Sequence, residues 1–161
     1  MTYNIYGITN CICEWIENNN IEPEILSFTL SFGVSKEYNY ETPSLLVGVA
    51  SKSDIENWKL KNDFIYYIWN QAEYTHYEIK ARCIDNNFLF EKEKSREYFI
   101  EMLLKDKNEF REKIYNKTGY KIILYIHDLD NQDISSIILE NFNISEIQSL
   151  KEKGLIPILI Y

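Results

Sequence analysis

Four side chains that bind protons or metals lie within one short run: His127, Asp128, Asp130 and Asp133. Carboxylates spaced i, i+2 and i+5 at the end of a strand can surround a hard cation. With His127 beside Asp128 and Asp130, such a site would suit a small metal-dependent hydrolase. The calcium-loop pattern fails in detail. Its sixth position needs Gly and holds Asp133; its twelfth needs Glu and holds Leu139. The simpler reading is a strand-to-helix turn, with Asp133 as the helix cap.

Cys11, Cys13 and Cys83, joined by a histidine, would offer zinc ligands. Cys11 and Cys13 sit one residue apart on an expected helix, roughly 200° around it, so they diverge. Structural zinc sites space their cysteines more widely. An odd number of cysteines at these spacings is no disulfide framework, so three reduced, structural thiols in a cytoplasmic protein are expected. A Cys83 nucleophile with His76 as its base has no supporting motif.

His76 with Glu78 and Glu73 could form an acid–base pair near Trp69. Strand alternation would put Glu78 on the face of His76 and leave Glu73 in a turn. The simpler reading is surface or hydrogen-bonded core. The chain has five glycines and no phosphate-cradling loop, nucleophile elbow or zincin helix. No catalytic residue and no cofactor are therefore expected.

Charge points to partners instead. The net charge is −8, and its negative excess lies in the first third and the last quarter, while the charged run 91–117 is balanced. Such a chain repels phosphate backbones and anionic membranes, and Arg82, Arg96 and Arg111 are its only arginines. Nucleic acid and membrane are excluded as partners on this reading; a basic protein partner is not. Glu22, Glu24, Glu37 and Glu41 are the candidate acidic contacts, with Glu73 and His76 nearby and Trp69 and Tyr74 as aromatic anchors. The first ten residues hold no basic start and no apolar run, so no secretion signal is expected in them.

The elements that must position these groups follow from periodicity and caps. Ile5, Ile8, Ile12, Trp15 and Ile16 form one stripe of a helix over 3–19, with Thr2 as its cap. Residues 24–34 alternate Leu26, Phe28, Leu30, Phe32 with Ser27, Thr29, Ser31, Gly33, a strand with one core face. Its polar face would meet solvent or lie under a loop. Residues 44–50 form a second strand in an antiparallel hairpin, with Gly48 where something approaches closely.

Ser53 and Glu56 have the form of a capping box ahead of a helix bearing Trp58. Residues 63–80 read as a central strand followed by an extended segment, because both faces of 64–69 are apolar. Asn86 and Asn87 mark a turn. Ser95 starts one helix, Asp106 a second, and Gly119 lies past its end. Residues 121–126 form another strand. Asp133 and Asn143 cap two more helices, and 155–161 form an edge strand with Pro157 that could serve a homodimer. Paired strands and paired helices predict a single α+β domain over 1–161: a largely antiparallel sheet of about five to six strands, flanked by helices.

The run Trp69-Asn70-Gln71-Ala72-Glu73-Tyr74 resembles the W-N-P-A-E-W run of an uncharacterised bacterial domain family, with Gln71 where that run has Pro. The stretch 141–147 resembles that family's L-N-P-x-E stretch. The resemblance implies no activity. Small acidic bacterial chains of this kind also look like immunity proteins of toxin systems, which implies a non-enzymatic module that neutralises a basic toxin.

Overall fold

Alternation along β1 (Pro23–Val34) sets up the architecture. Leu26, Phe28 and Leu30 turn to one side and Ile25, Ser27 and Thr29 to the other, and all six are buried. A strand buried on both faces has to lie in the middle of a sheet covered on both sides. The structure, a computed structural model, describes residues 3–34, 41–88, 94–131 and 133–157. In it β1 is the centre of a three-stranded sheet of order β2-β1-β3. β2 (Glu41–Ser51) pairs with β1 antiparallel, and β3 (Ile123–Asp128) pairs with it parallel. The register puts Ser27 between Gly48 and Tyr125, and Thr29 between Leu46 and His127.

One face of the sheet is apolar throughout. Leu26, Phe28, Leu45, Val47, Leu124 and Ile126 pack there against α1 (Ile5–Asn18), α4 (Ala81–Asn87) and α5 (Arg96–Thr118). The stripe expected of α1 is present, and its cap is Asn4, whose side chain accepts from Gly7 N at 3.0 Å; Thr2 lies outside the described residues. The other face carries α2 (Lys52–Trp58), α3 (Phe64–Ile68), α6 (Ile134–Asn141) and α7 (Ile144–Glu152), with a second core around Trp58, Trp69, Tyr125 and Ile138.

The fold class is α+β, but among the described residues the sheet has three strands of mixed direction, not five to six largely antiparallel ones. The difference lies mainly in 63–80. A short apolar run is equally consistent with a strand and a buried helix. Here it forms the five-residue α3 and a 3₁₀ turn (Gln71–Glu73), which bury Ile68 and leave Tyr66 half exposed. A central strand would have needed cover on both sides. Residues 76–79 still flank the outer edge of β2, where Val49 N donates to His76 O and Ile79 N to Val47 O, both at 2.8 Å.

Smaller corrections follow from local chemistry. α2 starts two residues before the expected box: Ser51 accepts from Asp54 N at 3.0 Å and Asp54 accepts back from Ser51 N at 3.2 Å. Asp106 starts no second helix, because its carboxylate is held by the Tyr3 hydroxyl, and α5 runs unbroken from its Ser95 cap to Gly119 at φ +78°. Asn86 and Asn87 are the last turn of α4 rather than a free turn. Residues 155–157 form no strand, and 158–161 lie outside the described residues.

The outer edge of β3 is closed by a side chain. Asn141 accepts from Ile126 N at 2.7 Å and donates to Ile126 O at 2.8 Å, as a paired strand would. A third bond, to Ile137 O at 2.8 Å, fixes that amide to α6. Lys107 of α5 donates to Asn141 O and lies 4.4 Å over the Phe142 ring. Burial lowers the pKa of this lysine. Among the described residues no helix is long and apolar enough to cross a membrane.

Candidate binding clefts

On the polar side of β1, Ser27 and Thr29 are buried, while Ser31 is half-buried and Gly33 exposed. Gln71, on the 3₁₀ turn, lays its side chain across Gly48, where an added Cβ would lie 2.3 Å from Gln71 Cγ. No residue with a side chain fits there beside Gln71. The close approach carries the Gln71 amide to the sheet, where Nε2 donates to Ser27 O at 3.0 Å and Leu46 O at 3.1 Å. Ser27 Oγ and Thr29 Oγ1 lie within 3.1 and 3.3 Å of the same nitrogen. Buried hydroxyls need such partners, since an unsatisfied one costs about 1–3 kcal/mol.

One row along, Tyr74 donates its hydroxyl proton to Ile68 O at 2.6 Å and lies 3.0 Å from the Tyr125 hydroxyl. Tyr74 has one proton and spends it on the carbonyl, so Tyr125 is the donor to Tyr74. Burial pushes the Tyr125 hydroxyl up to about 12 and raises Tyr74 as well. Trp69 donates to Leu155 O at 2.9 Å. Trp69 and Tyr74 are 4% and 2% exposed. They are core residues and present no surface to a partner, contrary to their expected role as anchors.

The polar row ends at His127, which is 6% exposed and stacked 5.5 Å from the Tyr125 ring. Its Nδ1 is 3.5 Å from Thr29 Oγ1. Burial lowers its pKa to about 4, against the opposing pull of Asp128. The imidazole is thus neutral at pH 7. It lines a cleft of about 400 Å³ between the N-terminal half of α5 and α6. Ile100, Leu104 and Ile137 form its apolar walls, and Glu97, Glu101 and Glu140 bring carboxylates to it.

Asp128 and Asp130 do not converge with Asp133 on one point. Arg96 NH1 holds Asp128 at 3.1 Å and Asp130 at 2.7 Å, while its guanidinium lies 4.6 Å over the Phe32 ring. Asp133 turns away to cap α6, accepting from Ser136 N at 3.1 Å and Ser136 Oγ at 2.7 Å. These bonds lower its pKa. The strand-to-helix turn is therefore what this run builds. Among the described residues no three His, Cys, Asp or Glu side chains group as metal ligands.

A second cleft, of about 470 Å³, opens where the end of α1, the start of β1 and α2 meet. Glu22, Glu56, Asp54 and His76 line it, with Lys52 the one lysine or arginine there among the described residues. Asp54 is buried and held by Ser51 N, Thr75 N and the Thr75 hydroxyl. His76 Nδ1 accepts from Trp15 Nε1 at 3.1 Å. An indole N–H only donates, so neutral His76 carries its proton on Nε2. Of the expected contacts, Glu22 and His76 thus share one cleft. Glu24 is half-buried on β1 and Glu73 is exposed on the 3₁₀ turn. Glu78 is exposed at a bend with φ +45°. Glu37 and the side chain of Glu41 lie outside the described residues.

Cys11 and Cys83 form a disulfide between α1 and α4, which corrects the expectation of three reduced thiols. Cys13 is free and buried, and burial raises its pKa. The two cysteines of α1 do diverge as their helical spacing required. The pairing does not follow from the sequence reading, which gives residues 81–85 no element and marks only a turn at Asn86 and Asn87. Comparison with protein-family models, with curated proteins and with solved structures finds no match to this chain.

Proposed function

We propose that the protein is a non-enzymatic binding module that engages a basic protein partner, and that the Glu22–His76 cleft is where a lysine or arginine of that partner docks. The observation that carries this reading is that Glu22, Glu56 and Asp54 line one polar cleft in which Lys52 is the one lysine or arginine among the described residues. The net charge of −8 supports it, since a field of one sign speeds encounter with a basic surface. A toxin-neutralising, immunity-type protein is the form of module this reading favours. Paired acids at the rim act more on association rate than on final affinity.

The test compares the wild-type chain with Glu22→Lys/Glu56→Lys, each immobilised and exposed to its host's lysate at low and high salt. The reading expects one basic protein in stoichiometric amount on the wild type, lost at high salt. Its association with the double variant should be at least ~10-fold slower. A partner captured equally by both proteins and at both salts would refute the docking site.

A further inference from the structure

We propose that the His127 cleft binds a small organic cation, a primary amine carried on a short apolar stem. This site is separate from the Glu22–His76 cleft and does not depend on its role. Three features of the cleft specify that chemistry.

The first is charge. Glu97, Glu101, Asp128 and Glu140 face a single guanidinium, that of Arg96. Arg96 is engaged with Asp128 and Asp130. Glu97, Glu101 and Glu140 make no ion pair among the described residues. Anions are repelled by such a lining, and a positive group is drawn in. The second is shape. Ile100, Leu104 and Ile137 give an apolar wall, and about 400 Å³ is the volume of a small-ligand site. An alkyl stem loses water against that wall while its ammonium reaches the glutamates.

The third feature is His127 itself. Its ring is buried, one nitrogen reaches Thr29 Oγ1, and Nε2 has no partner among the described residues. A buried polar atom left unpaired is costly unless something comes to meet it. Thr29 Oγ1 can accept from Nδ1–H, because its own proton can go to Ser27 Oγ, 3.2 Å away. Nε2 is then a bare acceptor on a ring that lines the cleft, ready for an N–H donor of the ligand. A metal ion would need a ready group of ligands, and Asp128 is already bound to Arg96.

The probe is 1,4-diaminobutane, titrated calorimetrically into the full chain at pH 7.5 and low ionic strength, with 1,4-butanediol as its uncharged counterpart. The diamine should bind and the diol should bind at least ~10-fold more weakly, because each charge-assisted hydrogen bond is worth about a factor of ten or more. Glu101→Gln/Glu140→Gln, both exposed positions that leave the core intact, should weaken the diamine at least ~10-fold. Nitrogen NMR of the His127 ring should show Nδ1 protonated and Nε2 bare in the complex. The proposal is overturned if the diamine does not bind, or binds the double variant equally well. It is also overturned if zinc alone binds at these residues, or if a lysine-bearing peptide binds there and the free diamine does not.

Discussion

The two faces of the central strand are equally buried and differently built. On one side Leu26, Phe28 and Leu30 pack within a hydrophobic cluster, and Phe28 lies edge-on to Phe110 at 4.9 Å. On the other, Ser27 and Thr29 meet Gln71, and Tyr125, paired with Ser27 across the sheet, lies against Tyr74. The apolar face needs only volume and shape. The polar face needs each donor matched to an acceptor, so its partners are specified one by one and a single loss leaves an orphan. The cleft with the buried, half-paired histidine borders the polar face, where hydrogen bonds fix a ring within the sheet.

The contrast can be broken first where packing is greatest. Phe28→Ala empties a fully buried site and should lower stability by about 4 kcal/mol in urea denaturation, with the slope unchanged. A loss below about 1 kcal/mol would mean that the apolar face is loosely packed. The disulfide staples the same side of the molecule, with a sequence separation of 72 residues. Chain-entropy reasoning assigns it about 4 kcal/mol. Cys83→Ser should lose that amount, and thiol titration of the denatured, unreduced wild type should count one free cysteine.

Acid should act on the polar face. The His127 pKa falls from an ordinary value near 6.5 in the unfolded chain to about 4 in the fold. Between those values the unfolded chain holds the extra proton. Stability is therefore intact above about pH 6.5 and is lost as pH falls toward 4, by about 3 kcal/mol in all. His127→Leu should flatten that part of the profile of melting temperature against pH. An unchanged slope would place the acid sensitivity elsewhere.

The smallest effect is the most specific. Gly48→Ala should cost about 1–2 kcal/mol, because the new methyl group meets Gln71. In a Gln71→Ala background the same change should cost almost nothing, since alanine is otherwise favoured over glycine in a strand. Additive costs in that double-mutant cycle would mean that Gln71 does not lie over Gly48.

How much of this was legible differs by the range of the interaction. Caps are local: Ser95, Asp133 and Asn143 each bond an N–H three residues on, and the sequence pattern suffices to find them. The alternation of β1 is also local, and Gly48 announced a close neighbour. The identity of that neighbour was not legible, because Gln71 lies in a segment whose helix or strand state depends on what covers it. α3 and Trp69 were misread for the same reason: a run apolar on both faces records burial without naming the element. The disulfide needs α4 beside α1, a contact that no spacing in the chain reveals.

An NMR titration of the His127 ring in the folded protein would show directly whether the polar face ends in a buried imidazole. The midpoint should lie near 4, with the ring neutral throughout the range in which a free histidine takes up its proton. A midpoint near 6.5 would contradict that burial. His127 would then be a solvated side chain, and the polar face would not end in a buried imidazole at the cleft.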